Sequence, residues 1–168
     1  ILYTSIGQPQ PEQWLAIAND EDCLEWRKYD GNPVLTVAAH GETQVDQWRD
    51  PFLFTEGGRT YMVCGGNIPV HRRGGEGAVF LYQAQDDALT KWKYLGPVYR
   101  YRDRATYNIE CPNLFKLDGR WVLLISPHRP CEYFVGDLDL DRVRFTPEVH
   151  GVLDPGDSYA SNISADDK

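Results

Sequence analysis

The stretch Asn108-Ile109-Glu110-Cys111-Pro112-Asn113-Leu114-Phe115 repeats the frame of an earlier one, Gln47-Trp48-Arg49-Asp50-Pro51-Phe52-Leu53-Phe54. In each, a charged residue stands close before a proline that opens a short apolar segment typical of a β-strand. The first copy carries Arg49 and Asp50, and the second carries Glu110. These two junctions are therefore the first candidates for the chemical centre of the protein.

The repeat extends well beyond the two junctions. Residues 49–64 align without a gap with residues 110–125, at an offset of 61 (110 − 49). Residues 14–26 align with residues 80–92, at an offset of 66 (92 − 26). An internal period of this size indicates that one structural unit recurs along the chain.

Each full copy divides into four short strands separated by turn residues. The expected strands are 51–55, 60–64, 78–83 and 92–99 in the first full copy, and 112–117, 121–125, 132–138 and 144–152 in the second. Four antiparallel strands per repeat describe a β-propeller blade. We therefore expect a single all-β domain with full blades at 48–100 and 109–153, the outer part of a blade at 1–38 and the start of another at 157–168.

The copies add up to about three blades, whereas propellers close with about four to eight. We therefore expect an incomplete propeller from the middle of a longer protein, with an open blade edge at each end. The glycine-rich segment 65–77 makes the first full copy about seven residues longer than the second (61 − 54). We expect this segment to be a surface loop near the rim of a pocket, with a solvated tip formed by His71, Arg72 and Arg73.

Composition favours β-structure and opposes several classes of partner. Five Trp, ten Tyr and one Met in 168 residues favour strands over helices. A formal net charge of −8 opposes binding to nucleic acid or to an anionic membrane surface, so a neutral carbohydrate is a better partner. No apolar run is long enough to span a bilayer, and no signal peptide is recognisable.

Cysteines and acidic residues do not form a metal-binding pattern. The cysteines are widely spaced without a C-x-x-C pair, so we expect buried free thiols at Cys23, Cys64, Cys111 and Cys131. Asp137-x-Asp139-x-Asp141 is similar to the start of a calcium loop, but Arg142 stands where that loop needs glycine. We therefore expect an acidic hairpin there, and neither a metal nor a cofactor in the protein.

Innermost propeller strands surround a central axis, so Arg49, Asp50 and Glu110 can converge on one cavity. A pair of carboxylates in a polar pocket is the arrangement that cleavage of a glycosidic bond requires. A structural alternative remains, because Asp-Pro is a common turn opener and a glutamate beside Cys-Pro can simply be solvated.

The same residues resemble the motifs of glycoside hydrolase family 32, which includes invertases, inulinases, levanases and fructan exohydrolases. Arg49-Asp50-Pro51 is similar to its R-D-P motif, and Glu110-Cys111-Pro112 to its E-C-P motif. Segments 29–35 and 152–160 are similar to its N-P-V and L-D-x-G-x-x-[YF]-A segments. The resemblance implies a five-bladed propeller, usually followed by a β-sandwich, and β-fructosidase activity on fructose-containing oligo- or polysaccharides.

The resemblance also implies a role for each matching residue. Glu110 would be the general acid/base, Asp50 would bind sugar hydroxyls and stabilise the transition state, and Arg49 would orient the carboxylates and the sugar. Further substrate contacts, including apolar or stacking walls, would come from Trp48, Cys111 and Tyr159. A location outside the cell or in the periplasm is favoured by the resemblance alone.

The chain departs from the family pattern because it has no N-D-P-N-G motif, whose aspartate is the nucleophile. Retaining hydrolysis needs that carboxylate, so we expect the isolated chain to be inactive or nearly so. An alternative from a different class is a non-catalytic carbohydrate-binding or assembly module that completes its propeller by forming a homo-oligomer. The related arabinanase and xylosidase propellers are a third hypothesis, against which Glu110-Cys111-Pro112 argues.

Overall fold

The computed structural model describes residues 1–69, 75–101, 103 and 106–164. These residues form eleven β-strands and one short 3₁₀ helix, Val37–His40. In chain order the strands are β1 Leu2–Ser5, β2 Glu12–Ala18, β3 Trp26–Lys28, β4 Asp46–Glu56, β5 Arg59–Pro69, β6 Gly75–Ala84, β7 Trp92–Arg100, β8 Glu110–Leu117, β9 Arg120–Ser126, β10 Glu132–Asp139 and β11 Arg144–Val152. The prediction of an all-β fold is confirmed.

The strands form three antiparallel sheets. β4 to β7 and β8 to β11 are four-stranded sheets in which each strand pairs with the next, and β1 to β3 form a three-stranded sheet. β1 lies against β4 as β5 lies against β8, so β1 has the place of a second strand. The outer part of a blade expected at 1–38 stays a prediction. The described residues close no ring, as expected of an incomplete propeller.

The last described segment carries no strand. Residues 153–164 follow β11 without strand assignment, and they lie against the blade formed by β8 to β11. The start of a further blade at 157–168 therefore stays a prediction.

The turns before the outer strands repeat in atomic detail. Asp20 accepts hydrogen bonds from the backbone N–H groups four and five residues later, at 2.9 and 2.7 Å. Asp86, 66 residues further on, accepts the same two bonds at 2.8 and 3.2 Å. Trp26 and Trp92 each donate their indole N–H to the carbonyl three residues earlier, at 2.8 and 2.9 Å. The internal repeat in the sequence is thus also a repeat of side-chain hydrogen bonds.

Two tight hairpin turns connect the inner strand of each full blade to the second. Gly57 and Gly58 have φ values of 57° and 71°, and Asp118 and Gly119 have φ values of 49° and 77°. Two successive residues with positive φ form the turn that matches the right-handed twist of antiparallel strands. The Gly-Gly and Asp-Gly pairs therefore set the β4–β5 and β8–β9 registers.

The expected surface loop at 65–77 is largely strand. The β5–β6 ladder continues from Gly65 opposite Val79 to Pro69 opposite Gly75. Glycine is needed here for close approach, because a Cβ on Gly65 would lie 2.3 Å from the carbonyl oxygen of Ile109. The predicted loop tip at His71, Arg72 and Arg73 lies outside the described residues.

The blade formed by β4 to β7 is buried on both faces. Tyr61 and Val63 of β5 pack in the core between the two four-stranded sheets. Met62 and Cys64, which alternate with them, pack in a second core that faces the three-stranded sheet. This two-residue alternation is that of a pleated strand. The middle blade therefore holds its second strand, β5, between the other two sheets.

All four cysteines are free thiols, but not all are buried. Cys64 and Cys131 are buried and Cys111 is half-buried, whereas Cys23 is exposed. Cys23 has φ 55° in the turn before β3, and its carbonyl accepts the Trp26 indole N–H, so the turn directs its side chain outward. Within the described part of the chain, no helix has the length and apolarity needed to span a membrane.

Candidate active site

The inner strands β4 and β8 carry the same irregularity at the same position. The β4–β5 register shifts between Arg49 and Phe52, and the β8–β9 register shifts between Glu110 and Asn113. In each case one extra residue is inserted into the inner strand. Such bulges bend a strand, re-aim side chains and are common beside active sites.

The backbone at both bulges adopts a conformation that is uncommon for residues other than glycine. Asp50 has φ 60° and Cys111, 61 residues later, has φ 47°. Positive φ costs about 1–3 kcal/mol and persists where surrounding contacts determine it. The strain therefore falls on the two junctions that the repeat singled out.

Arg49 joins the two predicted carboxylates. Its Nη2 forms an ion pair with Glu110 Oε1, and its Nε lies 3.9 Å from Asp50 Oδ2. Its Nη1 donates to the backbone and side-chain oxygens of Gln47, each at 3.1 Å. The exposed fraction of the side chain is 25% for Arg49, 32% for Asp50 and 16% for Glu110. The two carboxylates and the guanidinium therefore lie in a partly desolvated site that solvent still reaches.

Asp50 is also tied to both neighbouring sheets. Its Oδ2 accepts a hydrogen bond from the backbone N–H of Cys111 at 2.9 Å, and its own N–H donates to Thr4 Oγ1 at 3.0 Å. Burial and the negative charge of Asp50 raise the pKa of Cys111 to about 12. Cys111 is therefore a neutral thiol, which donates to Asp50 Oδ2 at 3.6 Å beside the backbone N–H.

Tyr159 contacts the other side of Glu110. Its hydroxyl donates to Glu110 Oε2. Burial raises the pKa of Tyr159 above its ordinary value, so the phenol stays protonated and keeps its hydrogen to donate. The structure therefore brings together Arg49, Asp50, Glu110, Cys111 and Tyr159.

Trp48 is the one predicted site residue that lies elsewhere. It is 0% exposed, and its ring packs edge-on against His40 at a centroid distance of 4.8 Å. Successive residues of a strand point to opposite faces, so the strand that presents Arg49 to the site turns Trp48 into the core. A ring without exposed surface cannot stack on a sugar.

Asn113 is a site residue that sequence reasoning missed. It is 3% exposed, and its Nδ2 donates to the carbonyls of Cys111 at 3.0 Å and Ser161 at 3.1 Å. Its Oδ1 accepts the backbone N–H of Ile163 at 3.0 Å. Asn113 thus links the β8 bulge to the segment that carries Tyr159. The repeat offers a signal, since a polar Asn113 takes the position of Phe52 (113 − 61).

Ser126 and Cys131 fasten the same segment to the blade. Ser126 Oγ accepts the backbone N–H of Ala160 at 3.0 Å, and the Cys131 N–H donates to the carbonyl of Ser158 at 3.1 Å. Burial acts to raise the pKa of Cys131, but hydrogen bonds from Ser126 and Ser161 outweigh it, so the pKa is lowered. These contacts hold Tyr159 from both sides of its position in the chain.

A cleft of about 420 Å³ opens beside Glu110. Its walls are formed by Glu110, His128, Arg129, Pro130, Asp157, Ser158 and Tyr159. A larger cavity of about 920 Å³ lies between β7 and the β10–β11 hairpin, and none of the predicted site residues lines it. We place the chemistry at the smaller cleft, because Glu110 lines it and the Arg49 guanidinium that contacts Glu110 also lies 3.9 Å from Asp50.

The chemistry available at this site is proton transfer and charge stabilisation. Two carboxylates share one guanidinium, and a tyrosine hydroxyl donates to the carboxylate that is a candidate acid. Among the described residues, no three His, Cys, Asp or Glu side chains are grouped closely enough to hold a metal ion. Acid/base chemistry on a polar, uncharged substrate fits this set of groups.

Comparison with known proteins agrees with this geometry. Residues 1–168 match the sequence profile of the glycosyl hydrolases family 32 N-terminal domain. The sucrose-6-phosphate hydrolase of Bacillus subtilis is 30% identical over 179 aligned residues, which cover 96% of this chain and 35% of that protein.

Solved structures show the same likeness. A family 32 β-fructofuranosidase of Bombyx mori superimposes with a TM-score of 0.78 at 30% identity, covering 98% of this chain and 38% of that one. A sucrose-6-phosphate hydrolase of Lactobacillus gasseri gives a TM-score of 0.74 at 27% identity, covering 92% and 34%. The chain thus spans little more than a third of the relatives it matches, and it belongs to glycoside hydrolase family 32 as an incomplete β-propeller of the family's N-terminal domain.

Proposed function

We propose that this chain supplies the acid/base and the stabilising carboxylate of a β-fructosidase, which cleaves fructosyl bonds in fructose-containing oligo- or polysaccharides. The observation that supports the proposal is the Arg49 guanidinium between Glu110 and Asp50. The relatives are named as hydrolases of sucrose 6-phosphate and of β-fructofuranosides, and a variant of the insect enzyme has been solved with sucrose.

Glu110 is the proposed general acid. When it passes its proton to the glycosidic oxygen, it becomes a carboxylate, and the charge needs stabilisation. Arg49 and the Tyr159 hydroxyl contact its two different oxygens, so each oxygen has a charge-assisted partner. The same carboxylate can then accept a proton from the water that completes hydrolysis.

Asp50 is the proposed binding and stabilising carboxylate. Its contacts with Cys111 and Arg49 use Oδ2, which leaves Oδ1 for a sugar hydroxyl. The side chain is 32% exposed, so a sugar can reach it. A negative charge held there favours the positive character that develops on the fructosyl ring.

Turnover of the isolated 168-residue chain is not expected, because retaining hydrolysis needs a further carboxylate as nucleophile and no N-D-P-N-G motif occurs in residues 1–168. The test is fructose release from sucrose, inulin and levan by the purified chain. Turnover that is abolished by Glu110→Gln would show that this expectation is wrong.

Binding tests the proposed site without turnover. In saturation-transfer NMR with sucrose, we expect saturation of the fructosyl protons. Asp50→Asn should weaken it by about 10-fold or more, since a hydrogen bond to a charged group contributes about 1.5–3 kcal/mol. The matched control is Asp139→Asn in the β10–β11 turn, where Asp139 accepts the backbone N–H of Arg142 at 2.9 Å. Fructosyl saturation that is equal in both variants would contradict the proposed function.

A further inference from the structure

An exposed pair of stacked rings includes His128, which lines the Glu110 cleft. The ring of Tyr107 and the imidazole of His128 lie nearly parallel, with centroids 5.8 Å apart and an interplanar angle of 13°. Tyr107 is 46% exposed and His128 is also exposed. The catalytic roles proposed above use neither ring.

The residues beside the pair are held in place. The Thr106 hydroxyl, which is buried, donates to the carbonyl of Pro127 at 3.4 Å, and these two residues immediately precede Tyr107 and His128. The stacked rings are thus presented by two loops that are joined directly behind them. Such a platform needs little ordering when a ligand binds.

His128 has a strained backbone next to the proposed acid. Its φ is 60°, and Tyr159, whose phenol donates to Glu110, lines the same cleft. Strained backbone of this kind clusters at functional sites. The His128 imidazole thus lies in the wall of the Glu110 cleft.

The cleft lies on one side of Glu110. Glu110 lines it, whereas Arg49 and Asp50 do not. If Asp50 holds the fructosyl unit, the group that Glu110 protonates leaves on the opposite side, which is the side of His128 and Tyr159. His128, with Tyr107 stacked against it, is thus positioned for the leaving sugar.

Charge in the cleft favours an uncharged leaving group. The Arg129 guanidinium already forms two ion pairs: Nη1 lies 2.7 Å from Asp103, and Nε lies 2.9 Å from Glu132. Asp157, the acidic side chain of the wall besides Glu110, would repel a phosphate. Among the described residues of this cleft, no arginine or lysine remains for the bidentate contact that phosphate recognition uses.

We propose that Tyr107 and His128 form a leaving-group subsite that stacks an uncharged sugar ring beside Glu110 and discriminates against a phosphorylated one. This inference rests on the proposed function, because it takes Glu110 as the acid. The apolar face of a sugar ring packs on an aromatic surface, as ligand sites commonly arrange with a few polar groups around it. The preferred ligand is a fructosyl sugar with a neutral partner ring, such as sucrose.

The test follows the two rings of sucrose separately by saturation-transfer NMR on the full chain. We expect both rings to be saturated. Tyr107→Ala and His128→Gly should each weaken sucrose binding by about 3- to 10-fold, which is the range of a single aromatic contact, and should reduce glucosyl saturation more than fructosyl saturation. Free fructose should bind all variants equally.

Two controls separate stacking from folding. Tyr107→Phe keeps the ring and should therefore keep glucosyl saturation. His128→Gly removes the imidazole without straining the backbone, because glycine adopts positive φ freely. Glucosyl saturation that Tyr107→Ala leaves unchanged would overturn the subsite. Fructosyl saturation that Asp50→Asn leaves unchanged would instead overturn the proposed function, and the subsite with it.

Binding of a phosphorylated sugar tests the proposed preference of the subsite for an uncharged ring. Sucrose 6-phosphate, whose phosphate is on the glucosyl ring, should bind at least about 3-fold more weakly than sucrose at low salt, where repulsion is least screened. Tighter binding of the phosphorylated sugar, weakened by added salt, would overturn the preference for an uncharged ring.

Discussion

Arg49 and Glu110 form an ion pair although they are 61 residues apart, and each sits at the bulge of an inner strand. The pair crosses from one blade to the next. It therefore contributes to the packing of the blades as well as to the proposed chemistry.

Removal of Arg49 should destabilise the protein. Its ion-pair partner Glu110 is only 16% exposed, so Arg49→Ala should lower the free energy of unfolding by about 1.5–3 kcal/mol, as expected when a hydrogen bond to a charged group is lost. Urea denaturation measures this change. The matched control is Arg142→Ala, since the Arg142 side chain is 84% exposed and lies 3.7 Å from Asp139. The control should change stability by less than about 0.5 kcal/mol, and equal effects would contradict the assignment.

His40 should make stability fall in mild acid. Its Nε2 accepts the Tyr82 hydroxyl at 2.6 Å, and Nδ1 donates to the Val37 carbonyl at 3.0 Å. Burial lowers the pKa of His40 below its ordinary value of 6.5. Below that pH the unfolded chain binds a proton that the folded chain excludes, so stability is full above pH 6.5 and is lost as the pH falls toward the folded pKa.

The measurement is urea denaturation at a series of pH values from 7.5 downward. His40→Gln should reduce the dependence of stability on pH in the first unit below 6.5. His150→Gln, at an exposed position on β11, should leave it unchanged. An unaltered slope in His40→Gln would show that other groups cause the acid sensitivity.

Asn113 should hold the Tyr159 segment in place. Asn113→Asp keeps the acceptor for the Ile163 N–H but loses both donated hydrogen bonds, and it buries a charge. We expect a loss of about 2–4 kcal/mol in stability. Hydrogen exchange should quicken at Ala160 and Ile163, which Ser126 and Asn113 hold. Asn19→Asp, at an exposed position after β2, should change neither, and unchanged exchange in Asn113→Asp would refute the role.

Gly65 should not tolerate a side chain. A Cβ there would lie 2.3 Å from the Ile109 carbonyl oxygen, so Gly65→Ala should push β8 away from β5. Overpacking of this kind costs about 1–3 kcal/mol. Gly7→Ala is the control, because nothing lies within 4 Å of its Cβ position. Thermal unfolding of both variants checks the prediction, and a stable Gly65→Ala would contradict it.

Local sequence signals predicted most of the strands. Eight of the eleven are the strands of two full blades, and turn pairs such as Asp118-Gly119 mark their hairpins. The strand ends were less accurate. Gly65 and Gly66 resemble a loop in sequence, yet they lie in β5. The reason for a glycine at position 65 is the approach of Ile109, which immediately precedes β8.

The sequence by itself determined the repeat, the all-β fold and the family, because period, turn residues and short motifs are local properties of the chain. It also predicted that Arg49, Asp50 and Glu110 lie together, since the same motif recurs at equivalent positions in the inner strands of two successive blades. Tertiary structure alone decided which face each side chain takes. Trp48 turns into the core, while Asn113, Thr4 and His128 join the site, because these placements depend on contacts between blades that no local pattern records.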